Sequence, residues 1–220
     1  MTVYIEFFGL PGCGKSTISH KVASVLRRQG NKVIEPTYYI DHNYPRVIRK
    51  IIKLSQLLFL LIKFPKKSLQ LKQLVKENGY TGSDILKQMS NIAYKINVYN
   101  LARADYILFD EGVLQSSVSL GNTPGRVICN EQKLLALCKN VLIVKIYIKT
   151  SVEIVLERLA ARCEHDSRVE KIGNVKRQKE ELNRISECLD AMNKDAIVID
   201  NDRINPGKAV KTILNYLNDR

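Results

Sequence analysis

The sequence predicts an α/β protein: a three-layer fold around a central parallel sheet, with a helical insertion beside the ligand cleft and a short lid. Two observations predict it. Short apolar runs alternate with stretches of helical periodicity along the 220 residues, and the first run ends in a glycine-rich turn that leads at once into a helix. The length suffices for one substantial core. Residues 1–220 therefore read as a single domain, with 41–103 as the helical insertion and about 158–175 as the lid.

Val3 to Phe8 is an apolar strand ending at Gly9, and Lys15 to Arg28 is helical through Ile18, Val22, Val25 and Leu26. Gly30 and Asn31 stop that helix, Lys32 to Ile34 returns as a short strand, and Glu35-Pro36 marks its end. Helical patterns follow over Arg46 to Phe64, Leu69 to Glu77 and Ser83 to Leu101, punctuated by Pro65, Asn78-Gly79 and Gly82. Ala104 to Phe109 is a compact buried strand ending in Asp110. Gly112 opens a short helical or loop passage, Gly121 to Gly125 is a turn, and Val127 to Cys138 reads as a helix. Val141 to Ile148 is the central strand of the second half. Ser151 caps a helix through Leu159, Val175 to Met192 forms another, Ala196 to Ile199 a late strand and Pro206 to Leu217 a terminal helix.

Lys and Arg outnumber Asp and Glu by 35 to 22, a formal charge of +13 that favours an anionic ligand or surface. The charge does not choose between nucleotide, nucleic acid and membrane lipid; the cations are spread along the chain, which suits a solvated, solubilising surface, and nucleic acid is not the favoured partner. The five cysteines form no CxxC pair and no zinc spacing, which suits free thiols in a reducing compartment. The start MTVYIEF reads as a strand and not as a signal segment, so the expectation is a cytoplasmic protein. The apolar run within Arg46 to Phe64 falls short of the roughly 20 residues a membrane span needs. Its basic, apolar character leaves room for a peripheral contact with an anionic membrane.

The segment Gly9-Leu10-Pro11-Gly12-Cys13-Gly14-Lys15-Ser16-Thr17 fits GxxxxGK[ST] between a strand and a helix. Its glycines let the backbone curve around phosphate, while the helix N-terminus supplies unpaired N–H groups and positive potential. Gly9, Pro11, Gly12, Cys13, Gly14, Lys15, Ser16 and Thr17 are thus the expected nucleotide-binding residues. Lys15 is placed to neutralise the β and γ phosphates, and Ser16 with Asp110 to hold Mg²⁺. The chain is accordingly expected to bind ATP with Mg²⁺. Glu111 is a candidate to orient water, bind an acceptor hydroxyl or act as base. Glu35 is a second candidate to take the acceptor proton, or the mark of a turn. Asp41, His42, Tyr44 and Arg46 follow as candidate acceptor-site residues. Arg158 and Arg162, four apart on one helix face, can close over the moving phosphoryl group, with Arg168 beyond. Each arginine can equally make an exposed salt bridge. Cys163 and His165 supply too few ligands for a structural metal.

In its loop GLPGCGKST, its Glu35-Pro36 pair, the strand-ending Asp110, the segment SVEIVLERLAAR and the late IVIDND, the chain resembles the P-loop kinases of nucleosides and nucleoside monophosphates, particularly the thymidylate kinase-like branch. The resemblance implies the P-loop NTPase three-layer fold. It also implies that Arg158 and Arg162 are lid arginines, that Asn201 and Asp202 approach the adenine, and that Glu35 acts on the acceptor hydroxyl. Thymidylate kinases usually place an Asp-Arg pair at the third strand end, where this chain has Asp110-Glu111-Gly112.

The leading expectation is ATP- and Mg²⁺-dependent transfer of a phosphoryl group to a small molecule, with a nucleoside or nucleoside monophosphate favoured modestly. Sugars and lipid-linked alcohols stay open as acceptors, and so does a homodimer. The alternatives are an NTP hydrolase or regulatory ATPase, which Asp110 and Glu111 encourage, and a nucleotide-responsive module at a membrane surface.

Overall fold

The computed structural model describes residues 2–123, 126–127, 130–139, 141–162, 169–202 and 205–218. Five strands form one parallel sheet: β1 (Val3–Gly9), β2 (Val33–Ile34), β3 (Tyr106–Phe109), β6 (Ile143–Lys149) and β7 (Ile197–Asp200), in the order β2-β3-β1-β6-β7. A separate antiparallel pair joins β4 (Asn122–Thr123) to β5 (Arg126–Val127). The helices are α1 (Lys15–Arg28), α2 (Pro36–Asn43), α3 (Arg46–Lys63), α4 (Pro65–Glu77), α5 (Gly82–Leu101), α6 (Val113–Gly121), α7 (Glu131–Leu135), α8 (Val152–Ala160), α9 (Val175–Met192) and α10 (Pro206–Asn218).

Alternation along the strands separates two cores. Ile5, Phe7 and Leu108 face a layer that includes Ile18 and Val22 of α1, Leu182 of α9 and Ile213 of α10. Tyr4, Ile107 and Phe109 face Leu57 and Leu60 of α3, Leu71 of α4 and Ile96 and Tyr99 of α5. The parallel sheet between two helical layers is the expected α/β arrangement, consistent with a P-loop NTPase-like kinase fold.

Four local expectations are corrected. Pro36 does not end in a turn: it occupies the first position of α2, where its fixed φ and missing N–H cost nothing. Pro65 likewise both ends α3 and starts α4, four residues before the expected Leu69. The expected helix over 127–138 shrinks to α7, because Arg126–Val127 pair with Asn122–Thr123 and the buried Asn130 is tied to Asn78. Ser151 provides no side-chain cap; the Asp202 carboxylate instead accepts its N–H at 2.9 and 3.0 Å.

β1 lies between β3 and β6, so its carboxyl end opens where successive connections leave the sheet in opposite directions. Ligand crevices form at such a point because the diverging loops leave room. The register pairs Glu6 with Phe109 and Gly9 with Ile148, which sets Asp110, the glycine loop and Asn201 around one end of the sheet.

Candidate nucleotide and acceptor site

The loop from Gly9 to Gly14 is held at both ends. Gly9 donates its N–H to Gln115 Oε1 of α6 at 3.1 Å, and Asn201 Nδ2, just past β7, donates to the Cys13 carbonyl at 2.7 Å. Gly14 adopts φ 97 at the cap of α1, and a Cβ there would sit 2.8 Å from Asn201 Nδ2. Only glycine meets both demands. The ammonium of the buried Lys15 turns into the loop and donates to the carbonyls of Gly9 at 3.1 Å and Leu10 at 2.9 Å.

Ser16 donates to Asp110 Oδ2 at 2.7 Å, while Thr37 of α2 donates a short hydrogen bond to Asp110 Oδ1. Sequence reasoning paired Ser16 with Asp110 and missed Thr37, whose only signal was its place just after Glu35-Pro36. These hydroxyl and carboxylate oxygens are hard donors suited to Mg²⁺, which keeps several waters and takes few protein ligands. No cluster of three or more His, Cys, Asp or Glu able to hold a metal occurs among the described residues.

Beneath the site, Glu6 of β1 is wholly buried. It accepts N–H groups from Val113 at 2.8 Å and Leu114 at 2.7 Å, the first residues of α6, and a short bond from Tyr99. Burial raises its carboxyl above the usual range, opposed by those donors and by nearby Lys95. A Cβ on Gly112 would fall onto this carboxylate well inside contact distance. Lys95 of α5 donates to Ser116 Oγ at 2.7 Å and the Gly112 carbonyl at 3.3 Å. Burial lowers its pKa, chiefly against the pull of Glu111. Glu6 anchors α6, and α6 in turn supplies the Gln115 that grips the loop.

Two cavities open on opposite sides of the loop. One, of about 520 Å³, is lined by Gly12, Gly14, Thr17, Arg158, Arg162 and Asn201 among others. Arg158 donates to the Asn201 carbonyl at 3.0 Å. The Asn201 side chain, expected beside the adenine, is spent on Cys13. The other cavity, of about 570 Å³, reaches from Pro11 and Lys15 across Glu111 and Gln115 to Arg46, Arg49 and Lys53 of α3, and includes Lys87, Lys95 and Lys171. Against these cations stand only Asp41 and Glu111 among its lining residues, and Asp41 is paired with Arg49 at 3.2 Å. Sequence reasoning named Arg46, Asp41 and Glu111 here and missed Arg49, Lys53, Lys95 and Gln115, which converge only in the folded chain.

Three expected residues go elsewhere. Glu35 lines a third crevice, where its carboxylate meets Arg27 at 2.6 Å and His20 at 3.1 Å, so it does not join the cleft beside Lys15 and Glu111. His42 stacks on Tyr38, and Tyr44 packs edge-on to Tyr39. Arg168, Cys163 and His165 lie outside the described residues.

A glycine loop between β1 and α1, a helix N-terminus behind it and a carboxylate at the end of the neighbouring strand give the chain a P-loop-like α/β fold. Solved structures of that fold superpose on nearly the whole chain. Deoxyadenosine kinase from M. mycoides, solved with dCMP and dCDP, is 17% identical with a TM-score of 0.52, covering 98% of each chain. The YorR protein of Bacillus subtilis, in complex with phosphorylated GDP, is 13% identical with a TM-score of 0.54, covering 98% of this chain and 95% of its own. Shikimate kinase from Bacteroides thetaiotaomicron is 13% identical with a TM-score of 0.54, covering 98% of each. These likenesses define the fold and do not select the thymidylate kinase branch. No protein-family model matches the chain, and no curated protein matches its sequence.

Proposed function

We propose that this chain transfers the γ-phosphoryl group of ATP to a small anionic acceptor, a nucleoside monophosphate being favoured over an uncharged nucleoside. The observation that carries this reading is the loop with a cavity on either side, one bounded by Arg158, Arg162 and Asn201 and the other lined with cations. ATP would lie with its phosphates on the loop amides and Lys15 and its base in the cavity bounded by Arg158 and Arg162, where the Asn201 side chain is already held by Cys13 and the Asp202 carboxylate by Ser151. Ser16 and Asp110, whose oxygens meet at 2.7 Å, would hold Mg²⁺, which would neutralise charge on the phosphate oxygens. Lys15, Arg158 of α8 and Arg162 just beyond the end of that helix, rather than on its face as expected, stabilise charge as the phosphoryl group moves; the expected lid, about 158–175, includes residues 163–168, which lie outside those described. Glu111 accepts the proton where the acceptor is a hydroxyl. Arg49, Lys53 and Lys95 attract and orient an acceptor that already carries negative charge. The nucleotide ligands of the deoxyadenosine kinase and YorR structures suit this reading.

Glu111 also supports a second reading, NTP hydrolysis, because it is exposed in the cleft next to Asp110. One screen separates the two: γ-labelled ATP with Mg²⁺ against nucleosides, nucleoside monophosphates, sugars and lipid-linked alcohols, with a Lys15→Ala control. Label on a monophosphate acceptor is the expected result. Release of inorganic phosphate alone across the panel would transfer the lead to hydrolysis.

A further inference from the structure

Helix α3 is built with its apolar side outward. Leu57 and Leu60 are buried against α5 and the core, and Arg46, Arg49 and Lys53 border that side and line the acceptor cleft. The opposite side carries Val47, Ile51, Leu54, Leu58 and Ile62, at steps of four, three, four and four, which places all five on one face. Their exposures are 68%, 61%, 41%, 54% and 83%. A water-facing helix normally shows the reverse pattern, and an apolar strip along 18 residues, about 27 Å at 1.5 Å per residue, is the kind of patch that marks an interaction site.

The surrounding charge selects the occupant. Residues 42–76 contain nine Lys and Arg and no Asp or Glu. A second copy docking through this helix would bring cation against cation with no carboxylate in the segment to separate them. The five outward side chains line none of the cavities described above and stand on a convex helix, so no groove receives a partner helix. A fluid apolar layer bounded by negative headgroups meets both features. No described helix is long and apolar enough to cross a membrane.

We infer that α3 lies in the surface of an anionic lipid bilayer, with Val47, Ile51, Leu54, Leu58 and Ile62 inserted below the headgroups and Lys50 and Lys63 at the phosphate level. This docking does not depend on phosphoryl transfer. The helix that lends cations to the acceptor cleft along one edge is held at the bilayer along the other.

Co-sedimentation of the full chain with phosphatidylcholine vesicles, with and without phosphatidylglycerol, tests it. Expected is at least about tenfold stronger binding to the anionic vesicles, weakened by salt. The double variant Ile51→Glu with Leu58→Glu should abolish it while retaining ATP binding and the wild-type melting temperature. Because the chain has no tryptophan, Leu58→Trp gives a single reporter, whose emission should shift to the blue on anionic vesicles alone. Equal binding to neutral vesicles, unchanged binding of the double variant, or a dimer that the double variant dissociates in the absence of lipid would each overturn the inference. Loss of kinase activity in Lys15→Ala would leave vesicle binding unaffected, so failure of this inference and failure of the catalytic reading are distinguishable.

Discussion

The two cavities flanking the loop are built in different ways. The cavity proposed for the nucleotide joins the loop residues Gly12 and Gly14 and the α1 residues Thr17 and Ile18 to Arg158, Arg162, Asn201, Asp202, Asn205 and Pro206 from far along the chain, with the Asn201 amide clamped on Cys13. The cavity proposed for the acceptor draws on side chains of α2, α3, α5 and α6, brought together across about eighty residues. A triphosphate looks the same to every enzyme that binds it, so local backbone geometry suffices for it. An acceptor is particular, and long side chains on separate elements can be exchanged without disturbing the loop.

Ser16→Ala should separate the two sides most sharply. It removes the hydroxyl that meets Asp110 at 2.7 Å, and kcat should fall about 100-fold while acceptor KM stays within about twofold. An equal change in acceptor KM would mean that the sides are not independent.

Gly112→Ala tests whether they share one foundation. The added methyl meets the Glu6 carboxylate that anchors α6, and a loss of about 3 kcal/mol is expected in urea unfolding. Because α6 carries Gln115, both substrates should bind more weakly in the folded fraction.

Removing Arg49 and Lys53 together by alanine substitution should raise KM for a phosphorylated acceptor about tenfold and leave the KM for ATP unchanged. An uncharged acceptor should barely respond. The reverse pattern would place the acceptor's charge elsewhere.

Glu35→Gln is the smallest effect. With its carboxylate held by Arg27 and His20, the change should leave kcat within about threefold and lower the melting temperature by a few degrees. A collapse of kcat would return Glu35 to the catalytic group.

The same division explains what could be read from the sequence. β1, the loop and α1 are contiguous, and both the glycine spacing and the helical period are local signals, so their place in the fold was legible. Asp110 was legible because an acidic residue closes a compact apolar run. Glu6 was not, since one carboxylate inside a strand gives no sign of the α6 N-terminus that it meets more than a hundred residues later. That Glu35 meets Arg27 and His20 was not legible, because nothing in the spacing of those α1 residues shows that they reach it. α2 was missed for a simpler reason: Pro36 signals a turn and a helix start equally well until Thr37 is seen bonded to Asp110.

Calorimetric titration of ATP in Mg²⁺ into the wild type and into Lys15→Ala tests the central claim, that the loop amides and one buried ammonium hold a triphosphate. Micromolar binding in the wild type, at least about tenfold weaker in the variant, is the predicted result. A wild type that takes up no nucleotide, or a variant that binds it equally well, would contradict the account.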